Sequence, residues 1–499
     1  MGSESESEAL HALLVSFPAQ GHINPLLRLG KRLASKGLLV TFSTNEKTGR
    51  SLRTANDVVS SDNPIPVGPG FLRFEFFDDG WADDDPRRKN LADLLPQLEL
   101  SGKQFVSQFI KKHNNNNNNN CIPISLIINN PFVPWVCDVA SEHNLPCAVL
   151  WVQSGAVFTT YYHYFHKLVP FPSESDPSIS VNLPHPLPLL KHNEIPSFLH
   201  PSSPYKFLGT LILEQFKNLS KPFCVLMDTF EELEEGYIRN PGGVDIRCIG
   251  PLFKSGGDGD GRRGIRGDLV VKDDECVEWL GSRGVGSVVY ISFGSVVYVG
   301  QEQVDEIAYG LLEAEVSFLW VLKPPSEELG LESLVLPPDF LHKTKDKGKV
   351  VQWSPQEEVL AHPSVACFVT HCGWNSSMEA ISCGIPVLTF PAWGDQLTNA
   401  KFLVEVFRVG IRLGDHHQPN KLITRDQVKN CLMEATIGPK AEDLKKNALR
   451  WKDAAEAAVA QGGSSDRNLD AFLDDVKRFV SNSANILNTN QKRESLSVI

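Results

Sequence analysis

The stretch from Trp353 to Gln396, WSPQEEVLAHPSVACFVTHCGWNSSMEAISCGIPVLTFPAWGDQ, limits what this chain can fold into more than any other. Ala366 to Thr370 is a short apolar run of strand type. His371-Cys372-Gly373 turns the chain, and Trp374-Asn375-Ser376-Ser377 opens a helix that Gly384 and Pro386 stop. Val387 to Phe390 reads as a second buried strand. A strand–helix–strand unit of this kind predicts an open parallel α/β sheet, with the polar and glycine residues collected where the first strand meets the helix.

Sheets of that type place ligands at this junction, and a helix start offers free N–H groups and a positive dipole end to an anion. A phosphate fits: Gly373 lets the backbone approach closely, while Asn375, Ser376 and His371 add donors. An ordinary helix cap and crossover would use the same residues, so TxCGxNSS alone leaves both readings open. The flanks add chemistry. Trp353 could stack on a base, Glu379 could take a ribose hydroxyl, and Asp395-Gln396 could take sugar hydroxyls.

With these flanks the stretch closely resembles the signature box of the plant UDP-sugar-dependent small-molecule glycosyltransferases, in length and at nearly all fixed positions. FPAQGHINP, SLIINNPFVPW, YISFGSVVY and GGSSDRN carry the likeness over nearly the whole chain. Within that family the chain is most similar to the branch that makes glucose esters of phenolic acids, with limonoid glucosyltransferases among its near relatives. The resemblance implies a GT-B fold, two facing Rossmann-like domains, and inverting transfer from UDP-glucose without a metal or other cofactor. It implies that Trp353 stacks on uracil, that Ser354 bonds it through the backbone, and that Gln356 and Glu379 hold ribose. Ser295, His371, Gly373, Trp374, Asn375 and Ser376 would face the diphosphate. Ser154, Trp374, Asp395 and Gln396 would face glucose, the glutamine favouring glucose over galactose.

His11 to Phe17 is a buried strand, and Asn24-Pro25 reads as a helix start with proline at the first helical position. The intervening loop, Pro18 to Ile23, carries His22. A lone loop histidine is more often solvated than catalytic, but the resemblance implies that His22 is the base facing the acceptor. Most relatives pair that histidine with an aspartate; here Asn130 stands in its place. An amide can orient an imidazole but cannot stabilise imidazolium as a charge does. A phenol of pKa about 10 must lose a proton as it attacks, whereas a carboxylic acid of pKa about 4 is already ionised at neutral pH. The substitution therefore agrees with ester formation on gallate or a hydroxycinnamate. A plain turn cap before Pro131 is the other reading of Asn130. Flavonoid or limonoid O-glucosylation, or non-catalytic binding of a UDP-sugar, are the rival functions.

The 499 residues suggest two domains. The first (1–254) would take the acceptor and the second (269–465) the UDP-sugar, with SGGDGDGRRGIRGD (255–268) as linker. A helix at 466–480 would cross back to the first domain, followed by a disordered tail, 481–499. Ser154 opens an aromatic helix, Phe158 to Phe165, read as core or acceptor pocket, and Leu187 to Tyr205 reads as a loop lining the acceptor cleft. A net charge of −12 without a basic stripe argues against nucleic-acid or anionic-membrane partners. FDDGWADDD lacks the spacing of a calcium loop and reads as a solvated loop, with no metal assigned. Asn114 to Asn120 reads as a surface insert. Ten cysteines without CxxC, no signal-peptide pattern and no apolar run of about 18 residues predict a cytoplasmic enzyme with reduced thiols, and a monomer is the expectation although no residue pattern fixes the oligomeric state.

Overall fold

The computed structural model describes residues 10–56, 59, 63–114, 122–217, 219, 221–238, 242–253, 265, 267–269, 275–295, 297–323, 333–414 and 421–496, the last fourteen as backbone alone. Two sheets organise it. The first contains β1 (His11–Val15), β2 (Leu39–Asn45), β3 (Ile65–Val67), β4 (Gly70–Phe77), β5 (Ile124–Asn129), β6 (Cys147–Trp151), β7 (Cys224–Met227) and β8 (Ile246–Cys248). Their order is β3-β4-β2-β1-β5-β6-β7-β8, parallel throughout except for the antiparallel β3–β4 pair at one edge. The second contains β9 (Val288–Ser292), β10 (Ser317–Val321), β11 (Gly348–Val351), β12 (Val365–Thr370), β13 (Val387–Thr389) and β14 (Gly410–Arg412), in the order β11-β10-β9-β12-β13-β14 and all parallel. Central strands such as β1 and β5 are buried at every position, as expected where helices cover both faces.

The order fixes where a ligand can sit. In each sheet the winding reverses beside the first strand, between β1 and β5 and again between β9 and β12, and the crevice at the carboxyl ends of such a pair is the binding position. Val15 is in register with Asn129, which brings Ser16-Phe17 against Asn130. Ser292 is in register with Thr370, which brings Gly294-Ser295 against His371.

Three expectations need correction. The first helix spans Gln20–Ser35, not a segment beginning at Asn24, so His22 lies in its opening turn and Pro25 lies inside it. Proline there has no N–H for the Gly21 carbonyl; that carbonyl instead accepts from Asn375 Nδ2 at 2.9 Å. The final helix, Ser464–Leu496, replaces the tail expected from residue 481. Leu469, Phe472, Leu473 and Val476 bury its apolar stripe in the core of the first sheet, and Asp466 pairs with Lys36 at 2.8 Å. The acidic loop is not simply solvated, since buried Asp79 accepts from Arg88 Nη1 at 2.7 Å and Asn45 Nδ2 at 2.8 Å. Residues 115–120 of the asparagine run and most of the linker lie outside the described residues.

Candidate active site

The two reversal points face each other across a cleft of 430 Å³, within the range of small-molecule sites. Thirteen of the sequence-predicted residues line it: His22, Ser295, Trp353, Ser354, Gln356, His371, Gly373, Trp374, Asn375, Ser376, Glu379, Asp395 and Gln396. They come from strand ends far apart in sequence, and the register of each sheet brings them together.

On the second-sheet side, the Trp374–Cys383 helix points its free N–H groups at the cleft. The His371 ring packs directly on Gly294 and Gly373. A Cβ at Gly294 would lie 2.4 Å from the ring and one at Gly373 2.5 Å, so neither position admits a side chain. Burial and the nearby Lys323 charge push His371 down to about 4, leaving it neutral. Ser376 Oγ accepts from Gln356 Nε2 at 2.8 Å, which frees its own hydroxyl proton to donate. Gln356 also donates to Glu379 Oε2 at 2.7 Å and accepts from Tyr290 at 3.2 Å, so its side chain is engaged within the site. Trp374 Nε1 donates to Asp228 O at 2.9 Å, tying the second sheet's helix to the first domain.

At the far end, Gln396 Oε1 accepts from Ala392 N at 2.9 Å and Trp393 N at 3.2 Å, which turns its amide N–H groups to other use. Burial pushes Asp395 up to about 6, although Asn399 and Gln153 donate to it. Ser154 is not on the wall. Its hydroxyl caps the Gly155–Phe165 helix and donates to Asn399 Oδ1 at 2.9 Å, and Asn399 in turn holds Asp395 at 2.8 Å. Gln153, one residue earlier, is the side chain that lines the cleft.

On the first-sheet side, His22 stands between two aromatic edges, with Phe17 at 5.3 Å and Phe132 at 5.2 Å between ring centroids. Its Nδ1 is buried without a hydrogen-bond partner, and burial lowers its pKa to about 4. Asn130 does not reach the ring. Its Oδ1 accepts from Phe17 N at 3.0 Å, while Nδ2 donates to Ser16 Oγ at 3.1 Å and to the His22 carbonyl at 3.0 Å. The amide therefore clamps the main chain around His22, and it lies behind the cleft wall. Around the histidine the wall is apolar, from Phe17, Phe132, Phe198, Leu208 and Ile212. Of the proline-rich segment 187–205, Phe198 is the part that reaches it.

Two cations lining the cleft, one from each side, carry no clear signal in the sequence. Lys323 follows β10, donates to Gly294 O at 2.7 Å, and pairs with no carboxylate among the described residues; burial lowers its pKa. In the sequence it is a lone lysine directly after an apolar strand, at the sheet's carboxyl edge. Arg28 crosses from the first domain to Glu357 and Glu379 of the second.

Comparison with known proteins gives this geometry its context. Residues 271–441 match the family model described as UDP-glucoronosyl and UDP-glucosyl transferase. The chain is 60% identical over 479 residues to gallate 1-beta-glucosyltransferase 84A24 of Punica granatum, covering 96% of this chain and 90% of that protein. It is 57% identical to the cinnamate beta-D-glucosyltransferase of Fragaria ananassa, covering 96% and 84%. Among solved structures, Os79 from O. sativa in complex with UDP superposes with a TM-score of 0.76 at 27% identity, covering 94% of this chain and 99% of that one. With this similarity and two facing parallel-sheet α/β domains of the GT-B type, the chain belongs to the UDP-glucoronosyl and UDP-glucosyl transferase family.

Proposed function

We propose that the protein transfers glucose from UDP-glucose to the carboxylate of a phenolic acid, with inversion, giving a 1-O-β-D-glucose ester. A carboxylate oxygen attacks the anomeric carbon, the bond from that carbon to the β-phosphate oxygen breaks, and UDP leaves with the electron pair. No proton needs to be removed from an ionised acid.

The observation that carries this reading is the surroundings of His22. Among the described residues its ring has no carboxylate partner, Asn130 being committed to Phe17 N, Ser16 Oγ and the His22 carbonyl, and its pKa of about 4 makes it a weak base at neutral pH. A weak base suits an acceptor that arrives ionised, and the opening turn of the Gln20–Ser35 helix gives that anion a positive end to lie against. The names of the gallate and cinnamate relatives support the same class of acceptor.

In this reading residues 1–254 hold the acceptor and 269–465 the donor. Trp353 stacks on uracil, with Ser354 bonding it through the backbone. Glu379, ordered by Gln356, takes the ribose hydroxyls. The start of the Trp374–Cys383 helix, Ser295, His371, Asn375, Ser376 and Lys323 take the diphosphate, and Asp395 and Gln396 take glucose. Among the described residues no helix is long and apolar enough to cross a membrane, and we place the reaction in the cytosol.

The test is direct. Purified protein is incubated with UDP-glucose and a panel of benzoic acids, cinnamic acids and flavonols, and the products are treated with mild alkali. Glucose esters are cleaved; alkali-stable glucosides as the main products would reject the reading, and no UDP-glucose consumption at all would favour a binding protein.

Two further expectations arise here. Because burial raises Asp395 to about 6, its protonated form grows as pH falls through that value, and a protonated carboxyl loses acceptor capacity for sugar hydroxyls. KM for UDP-glucose is expected to climb below about pH 6 in wild type, and Asp395→Asn to flatten that part of the profile; parallel profiles in both proteins would refute the role. Asn130→Asp removes the donations to Ser16 Oγ and to the His22 carbonyl, at a cost of about 1–3 kcal/mol, and supplies a carboxylate that can turn to the unpartnered His22 Nδ1. Phenol glucosylation should rise relative to acid glucosylation while the melting temperature drops, and an unchanged product ratio would count against the pairing.

A further inference from the structure

Arg28 lies six residues after His22 on the Gln20–Ser35 helix, yet its guanidinium belongs electrostatically to the other domain. It forms ion pairs with Glu379 and Glu357, with Nε at 3.0 Å from Glu357 Oε1, and it lies over the Phe253 ring at 5.5 Å. The Arg28 side chain is 10% exposed and that of Glu379 only 5%. Burial, helped by the neighbouring Glu357 carboxylate, pushes the Glu379 carboxyl up from its usual range, and the Arg28 charge and the hydrogen bonds from Arg28 and Gln356 oppose that rise. An ionised carboxylate offers about four lone-pair sites and no donor. Arg28 occupies one site on Oε1 and Gln356 one on Oε2, which leaves one on each oxygen for a pair of adjacent hydroxyls.

We infer that Arg28 is a positioning residue for the donor ribose: it holds the Glu379 carboxylate aimed so that both ribose hydroxyls can donate to it. Because Arg28 and His22 share one helix, the same contact fixes the first-domain helix against the nucleotide site. A second tie, Asn375 Nδ2 to Gly21 O at 2.9 Å, holds the start of that helix. The inference rests on the reading that Glu379 takes the ribose hydroxyls.

The experiment measures KM and kcat for UDP-glucose and for its 2′-deoxyribose analogue, using full-length wild type, Arg28→Met, Arg28→Lys and Glu379→Gln. Wild type should discriminate against the deoxy donor by at least about tenfold, as a site built around a hydroxyl does. Arg28→Met should raise KM for UDP-glucose about tenfold and shrink the discrimination to within about threefold, with Arg28→Lys between the two. Wild-type KM and full discrimination in Arg28→Met would overturn the inference; should that variant fail to fold, the same result in Arg28→Lys decides. Glu379→Gln separates the two levels. If it leaves discrimination unchanged, the ribose reading itself falls. If it abolishes discrimination while Arg28→Met keeps it, only the role of Arg28 falls.

Discussion

His22→Ala is expected to lower glucosylation of a simple phenol by about 10²–10⁴-fold, the range supplied by a positioned general base, and glucosylation of a benzoic acid by much less, about tenfold. UDP affinity should stay within about twofold of wild type, because the imidazole packs between Phe17 and Phe132 on the first-sheet side. The asymmetry follows from proton inventory. A phenol must surrender a proton as its oxygen bonds to carbon, and with Nδ1 buried, His22 Nε2 is the ring nitrogen left to receive it. An ionised acid has none to give, so for it the ring is a wall and a hydrogen-bonding post. Initial rates with matched phenol and acid acceptors, alongside UDP binding by calorimetry, check this. Equal losses for both acceptors would mean that the histidine acts on the acid as a base, and the explanation built on Asn130 would have to go.

Lys323→Met is expected to lower kcat by about 10²–10³-fold, the scale on which removing one preorganised charge from a developing anion is felt, with a smaller rise in KM for UDP-glucose. The amine is half-buried, donates to Gly294 O, and stands beside a neutral His371. On the proposed reading negative charge accumulates on the β-phosphate as the sugar leaves, and Lys323 lines the cleft beside His371. Uniform binding of substrate and transition state would instead raise KM and leave kcat alone. A variant with wild-type kcat would assign the lysine to ground-state binding or to propping up Gly294.

Most of the second-sheet side of the cleft was legible because its residues are local. From Trp353 to Gln396 strand, turn, helix and strand follow one another, and the periodicity that builds the fold also places His371, Asn375, Ser376 and Glu379 at one corner. What stayed hidden depends on partners far away in the chain. The rule that proline opens a helix set the first helix to begin near Asn24, and it failed because the carbonyl that Pro25 leaves unbonded is satisfied by a residue 354 positions from Gly21. Ser154 was placed on the sugar by likeness, but the hydroxyl is used up by its own helix and by Asn399, so Gln153 meets the cleft instead. For Asn130 the residue type was informative and its direction was not: whether an amide bonds a ring or a carbonyl is decided by the register of β1 against β5. Arg28 looked like an ordinary helix cation, since its partner Glu379 lies 351 residues on.

The substitution of an imino acid for an amide at position 25 has a bearing on chimera building. Grafting the N-terminal segment of one homologue onto the C-terminal half of another, a common route to altered acceptor choice, preserves the rivet between lobes only if Pro25 travels together with Asn375. A graft carrying another residue at 25 would supply an N–H that competes with Asn375 for the Gly21 oxygen and so weaken one tie between the lobes, one residue from His22.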